Sequence, residues 1–132
     1  MKQSCLFSLL IYLTFTSCNK PHLSNAGQWR WEYSSGGFTG RTILTSSESK
    51  VTLTLKADLT FIIYKNDCIQ DTGSYTISID SNSTSFIHFS KSIYLNDYVV
   101  MSKEFIRKSD SGNLILDDGC CDRYLHYFKL NK

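Results

Sequence analysis

The sequence lacks an excess of charge of either sign, and it is almost free of proline. Lys and Arg number 14 against 12 Asp and Glu, so the net charge of this 132-residue chain is only +2. Such a balance gives no electrostatic reason to expect a nucleic-acid partner. The single proline, Pro21, lies in a polar stretch, residues 18–26. That stretch is typical of a tether to a folded domain.

Catalytic motifs are also missing. The chain has no Gly-x-Ser-x-Gly, no phosphate-binding glycine loop with a lysine, no His-Glu-x-x-His and no Cys-x-x-Cys. His88 lies among apolar residues on a predicted strand, where a structural histidine is expected. The aspartates near Gly119 lie in a predicted turn, where they bond to the backbone. We therefore expect no enzyme activity, no cofactor and no metal site.

The longest apolar run, Leu6 to Phe15, follows an early lysine and precedes small residues. It is shorter than the roughly 20 residues that a membrane-spanning helix needs, and its flanks are typical of a secretion signal. Phe15-Thr16-Ser17-Cys18 resembles the lipobox of bacterial lipoproteins, although Phe15 replaces the usual aliphatic residue. The resemblance implies that residues 1–17 are removed and that Cys18 is acylated. The alternative is an ordinary cleaved signal in which Cys18 has no role.

The predicted lipid anchor places the protein in the cell envelope. We expect the outer membrane, facing the periplasm, with the cell surface as the alternative. The membrane is then a partner through the N-terminal lipid. A single acyl chain anchors only marginally, and several chains hold a protein firmly.

Beyond residue 26, the repeating signal is alternation of apolar and polar residues with a period of two, which indicates half-buried strands. Val51, Leu53 and Leu55 give the clearest example. No window shows the period of an amphipathic helix. Eight strands are predicted, and they cover residues 28–34, 50–56, 59–65, 74–79, 84–90, 98–108, 113–117 and 123–130.

Eight strands joined by short turns predict one all-β domain over residues 27–132. Closing a meander into a barrel removes the exposed sheet edges. We therefore expect a small eight-stranded antiparallel up-and-down barrel. Two packed sheets forming a β-sandwich are the alternative, because alternation alone does not separate the two architectures.

Three segments carry a family resemblance: GQWRWEYSSGGFTG at residues 27–40, LTLKADLTFIIYKN with TGSYTI in the middle, and DGCCDRYLHYF at residues 118–128. Together they resemble the lipocalin-like lipoprotein domains common in Bacteroidetes. Gly27-Gln28-Trp29 also resembles the Gly-x-Trp of lipocalins, in which the indole plugs the closed end of the barrel. Leu59 stands where that family usually has the glycine of an Asp-Gly turn.

The resemblance implies a barrel that binds a small apolar ligand, and Trp31 and Tyr33 are the candidate ligand-binding residues. Both can instead be core residues. The alternative function is then a filled barrel that contacts another envelope component, whose identity the sequence does not give. Residues 34–49 would overhang the mouth, as a lid in the first case and as a contact surface in the second.

Three cysteines remain after Cys5 leaves with the signal and Cys18 takes the lipid: Cys68, Cys120 and Cys121. In an oxidising envelope they allow one disulfide and one spare thiol. Turn counting places Cys68 at the same end of the barrel as the adjacent pair, so a bridge to Cys68 is one hypothesis and free thiols are another. A zinc site with His126 would need a fourth ligand and cysteines that are spaced rather than adjacent.

Overall fold

The computed structural model describes residues 26–46, 48–96, 100–108, 111–119 and 124–132. Within these ranges the protein is all-β, without helices, and no segment forms a helix long and apolar enough to cross a membrane. The described residues form nine strands: β1 (Gly27–Gly36), β2 (Arg41–Leu44), β3 (Val51–Leu55), β4 (Thr60–Lys65), β5 (Cys68–Ile79), β6 (Ser85–Tyr94), β7 (Val100–Lys108), β8 (Leu114–Asp117) and β9 (Tyr124–Leu130).

Eight of these strands form a closed antiparallel ring. From β3 to β9 each strand pairs with the next, and β1 pairs with β3 on one edge and with β9 on the other. The ring confirms the predicted barrel and excludes two separate sheets. The eight predicted strands correspond to β1 and β3–β9.

The ninth strand, β2, was not predicted. It pairs with the second half of β1, from Tyr33 opposite Leu44 to Gly36 opposite Arg41. Part of the expected loop at residues 34–49 is therefore a hairpin arm that extends the sheet beside β3. β5 also begins earlier than predicted, because Gln70, Asp71 and Thr72 form a strand that has no inward apolar alternation.

Two tight hairpins flank β4. Asn66 and Asp67 both have positive φ, 53° and 62°, and they join the paired residues Lys65 and Cys68 in a two-residue loop. Positive φ at both central residues is the geometry of a hairpin turn that matches strand twist. At the other end of β4, Leu59 has φ 63° in place of the glycine that such a position favours.

The two ends of the barrel differ in the side chains that fill them. At the closed end, where β1 begins, Trp29 is buried and its indole Nε1 donates to the carbonyl of Gly112 at 3.0 Å. A Cβ on Gly27 would lie 2.7 Å from that indole ring, so only glycine fits there. The opposite end, where β3 begins and β4 ends, is the mouth.

Sixteen buried apolar side chains among the described residues fill the space between the ends. Trp31, Phe61 and Phe128 are the largest that are fully buried. Phe61 packs edge-on against Phe89 with ring centroids 5.3 Å apart. A Cβ on Gly73, which pairs with Phe61 across β4 and β5, would lie 2.7 Å from the Phe61 ring. The interior is therefore a packed core over most of its length.

Candidate functional site

A cavity of about 340 Å³ opens at the mouth. Its walls are Val51, Ile63 and Leu95, which are almost completely buried and face inward. Its rim carries polar groups from β4, β5 and the end of β6, namely Lys65, Gln70, Tyr94 and Asn96. Because these three side chains are almost completely buried, most of the surface that faces the cavity belongs to the polar rim. The volume falls at the low end of the usual range for small-molecule sites.

The cavity exists because short aliphatic side chains occupy the mouth end of β3 and β4. Alternation directs Val51 and Leu53 inward from β3, while Ile63 enters from β4 opposite Leu53. One layer deeper, the Phe61 ring is fully buried and fills the space. The cavity is therefore shallow, and a ligand would contact the walls of the mouth rather than the centre of the barrel.

The two aromatic residues predicted to bind ligand lie on opposite faces of β1. Trp31 pairs with Phe128 across β9 and is buried, but the register then shifts, and Tyr33 pairs with Tyr127. This bulge places Tyr33 on the outer face, where its ring stacks on Tyr127 with centroids 4.3 Å apart. The simple alternation of Trp29, Trp31 and Tyr33 therefore ends at Trp31.

After the bulge, the inward position belongs to Ser34, which is fully buried and belongs to a polar network. The Trp31 indole Nε1 donates to Ser34 Oγ at 3.0 Å, and the same oxygen lies 2.8 Å from His126 Nδ1. Because the hydroxyl accepts from the indole, it can give its own proton to Nδ1. That assignment leaves the imidazole proton on Nε2. The network fixes the inward side of the bulge.

His126 is fully buried, and its Nε2 has no hydrogen-bond partner within the part of the chain that the structure describes. Burial lowers the pKa of His126 from 6.5 to about 4, although the nearby carboxylate of Asp117 acts in the opposite direction. Asp117 is also buried, and its Oδ1 accepts from the backbone N–H of Gly119 at 3.0 Å. At neutral pH the imidazole is therefore uncharged.

Ser34 and His126 have the composition of a nucleophile and a base, but no part of either side chain reaches solvent. Ser34 Oγ is also committed to the Trp31 indole. A substrate has no access to this oxygen, and the arrangement is that of a structural network in the core. Because the folded protein lowers the pKa of His126, protonation of this residue is coupled to unfolding.

Of the predicted cysteine sites, the structure describes only Cys68, the first residue of β5. Its side chain is exposed, and its thiol is free in this structure. It follows the β4–β5 turn at the mouth, the same end as the link between β8 and β9. Cys18, Cys120 and Cys121 lie outside the described residues, so the lipid and the disulfide stay predictions. The described residues bring together no group of three metal-ligating side chains.

Sequence reasoning missed the walls of the mouth, because Val51 and Ile63 carry the same alternating signal as any core residue. Their position at a strand end next to the Asn66-Asp67 turn was the available signal. Recognising this signal requires knowing which end of the barrel is plugged. The location of Trp29 provides that information, and it depends on a contact with Gly112 that is distant in sequence.

Comparison of the chain with protein-family models, curated proteins and solved structures returned no match. The function is therefore inferred from the geometry of the residues themselves.

Proposed function

We propose that the protein is a lipid-anchored component of the cell envelope whose barrel binds a small apolar molecule at its mouth. The observation that supports binding is the cavity of about 340 Å³ behind the rim of Lys65 and Gln70. A ligand would place an apolar body against Val51, Ile63 and Leu95 and direct a polar group toward the rim. Trp31 does not line the cavity and is part of the packed core.

Native mass spectrometry of protein released from its own envelope tests the binding proposal. The wild-type chain is expected to retain a small molecule. Val51→Phe would place a ring in the mouth, so the retained mass should disappear. The matched control, Thr54→Phe, adds the same ring to a half-buried position between two inward residues of β3, and its ligand should stay. Repeated recovery of a ligand-free wild-type monomer would contradict the proposal.

The lipid anchor is tested separately through Cys18. In the wild type the protein should stay in the membrane fraction after a high-salt wash, and Cys18→Ala should release it. Cys68→Ala is the control, since that thiol lies in the folded domain and should have no effect on membrane retention. If Cys18→Ala protein from which residues 1–17 have been removed, as its intact mass shows, stays with the membrane, the lipobox interpretation is wrong.

A filled barrel that contacts another envelope component is the second candidate function. It is favoured by two side chains of the β1–β2 hairpin, Phe38 and Leu44, which are 93% and 70% exposed. Large exposed apolar groups are frequent at interaction sites. Cross-linking in intact envelopes distinguishes this function: Phe38→Ser with Leu44→Ser should abolish a specific cross-linked species and leave any retained small molecule in place.

A further inference from the structure

The outer face of β1 and β9 carries cations that face one another. Arg30 on β1 lies directly opposite Lys129 on β9, and both side chains are exposed. Like charges in directly opposed positions of an antiparallel pair destabilise the sheet. Lys50 and Lys132 line the same groove, which encloses about 740 Å³. We call these four residues and the space between them the basic groove.

The carboxylates near the basic groove neutralise only part of this charge. Arg30 bonds to Glu32 through Nε at 2.9 Å and Nη2 at 2.7 Å, and Lys50 bonds to Asp67 at 3.0 Å. Lys129 and Lys132 form no ion pair with any residue that the structure describes. Among side chains, four cations therefore stand against two carboxylates. Both ion pairs are exposed, so they compete weakly with an external anion.

A second groove continues from the first. It holds about 400 Å³ beside the stacked rings of Tyr33 and Tyr127, and it shares Ser111, Asn113 and Lys129 with the basic groove. Ile115 lies opposite Tyr127 on β8 and lines this part. The combined surface thus has an aromatic and aliphatic half next to a cationic half. Tyrosine rings and basic side chains are the groups that favour the boundary between lipid headgroups and water.

This surface also lies where the tether enters the domain. β1 begins at Gly27, three residues before Arg30. The eight residues between Cys18 and Gly27 span at most about 30 Å when fully extended. An acylated Cys18 would therefore hold the start of β1 close to the bilayer. Lysine and arginine near an anionic membrane surface each add about a fivefold preference for it.

We propose that the basic groove and the adjoining Tyr33–Tyr127 surface bind the phosphate groups of anionic lipids and orient the barrel against the membrane. The orientation rests on the proposed lipid anchor, whereas the binding itself does not require it. The cations contact headgroup phosphates, and the tyrosine rings lie at the level of the headgroups.

Vesicle flotation tests this surface without the anchor. The mature chain, residues 18–132 with Cys18→Ala, carries neither lipid nor signal segment and is mixed with vesicles of phosphatidylcholine alone or of phosphatidylcholine with phosphatidylglycerol. Binding to anionic vesicles should exceed binding to neutral vesicles, and the excess should shrink as salt screens the charges. Adding Lys129→Gln and Lys132→Gln should reduce the anionic preference roughly twentyfold.

Lys56→Gln with Lys91→Gln is the matched control, because it removes the same charge from exposed positions outside both the groove and the mouth. This control should keep most of the anionic preference. If both double variants lost the same share of the anionic preference, the preference would depend on net charge alone, and the proposal would be overturned. Binding of inorganic phosphate at Lys129 without any anionic vesicle preference would also overturn it, in favour of a site for free anions. A failure of the lipid anchor would appear only in the membrane retention of the chain that keeps Cys18.

Discussion

The two ends of the barrel differ in what occupies the interior. At the closed end, a single indole, Trp29, is held by the Gly112 carbonyl and covers the core. At the mouth, the corresponding space on the β3 side is bounded by Val51, Ile63 and Leu95 and contains a cavity. On the β1 side of the mouth, buried polar groups replace apolar packing. The size and polarity of a few side chains thus decide which end of the barrel contains a cavity.

Removing the plug should produce the largest effect. Trp29→Ala deletes a buried indole and its hydrogen bond to Gly112, so the free energy of unfolding should fall by about 3 to 5 kcal/mol. Chemical denaturation measures this loss. Gln28→Ala, at the exposed neighbouring position, should change stability by less than about 0.5 kcal/mol. A small loss for Trp29→Ala would show that the indole does not close that end.

The polar side of the mouth predicts a pH dependence that arises from one buried imidazole, His126. Unfolded His126 binds a proton below its ordinary pKa of 6.5, whereas the folded protein resists protonation down to about pH 4. Stability is therefore complete above pH 6.5 and falls as the pH decreases toward 4. The expected loss is about 3 kcal/mol.

Denaturation curves across this pH range provide the measurement for His126. His126→Phe should flatten the slope relative to the wild type, because the phenyl ring has no proton to bind. His88→Gln is the control and should preserve the slope. If the slope persists in His126→Phe, the acid sensitivity arises from the carboxylates instead.

The two ends of β3 allow a direct comparison of packing. Val51 and Leu55 both face inward, Val51 at the mouth and Leu55 near the closed end. Leu55→Phe adds volume to a packed region and should cost about 1 to 3 kcal/mol. Val51→Phe can extend into the cavity, so its cost should be below about 1 kcal/mol. Thermal and chemical unfolding measure both, and equal costs would mean that the mouth is packed as tightly as the rest.

The hairpins at the two ends should differ by the smallest amount. Leu59, near the closed end, holds φ 63° with a branched side chain that is half exposed. Leu59→Gly should raise the free energy of unfolding by about 1 kcal/mol, because the left-handed conformation carries no penalty for glycine. Asp67→Gly at the mouth should change little, since aspartate already tolerates that region and its ion pair with Lys50 is exposed. A destabilised Leu59→Gly would show that the leucine side chain contributes packing.

Regular alternation made most of the barrel predictable. Val51, Leu53 and Leu55 alternate with polar residues and so indicate an inward face directly, and Trp29 is buried as the alternation along β1 predicts. The outward placement of Tyr33 was not predictable, because the sequence of β1 alone does not indicate the bulge after Trp31. It becomes visible only through pairing with β9.

The burial of His126 was not predictable from the sequence either. Aromatic residues lie on both faces of β9, with Tyr127 half-buried next to the buried Phe128, so composition does not reveal which residues face inward. The register with Ser34 decides it. Such contacts link distant parts of the sequence, and a local pattern carries no information about them.

Closure of the ring through β1 and β9 has a kinetic consequence. The last pairs of the barrel join residues from the two extremes of the domain, such as Asn131 and Gln28, which are 103 positions apart. Contacts between such distant residues form slowly, because a long loop must close before they are made. The edge of β1 that faces β9 therefore stays unpaired until β9 has been synthesised and joins the sheet.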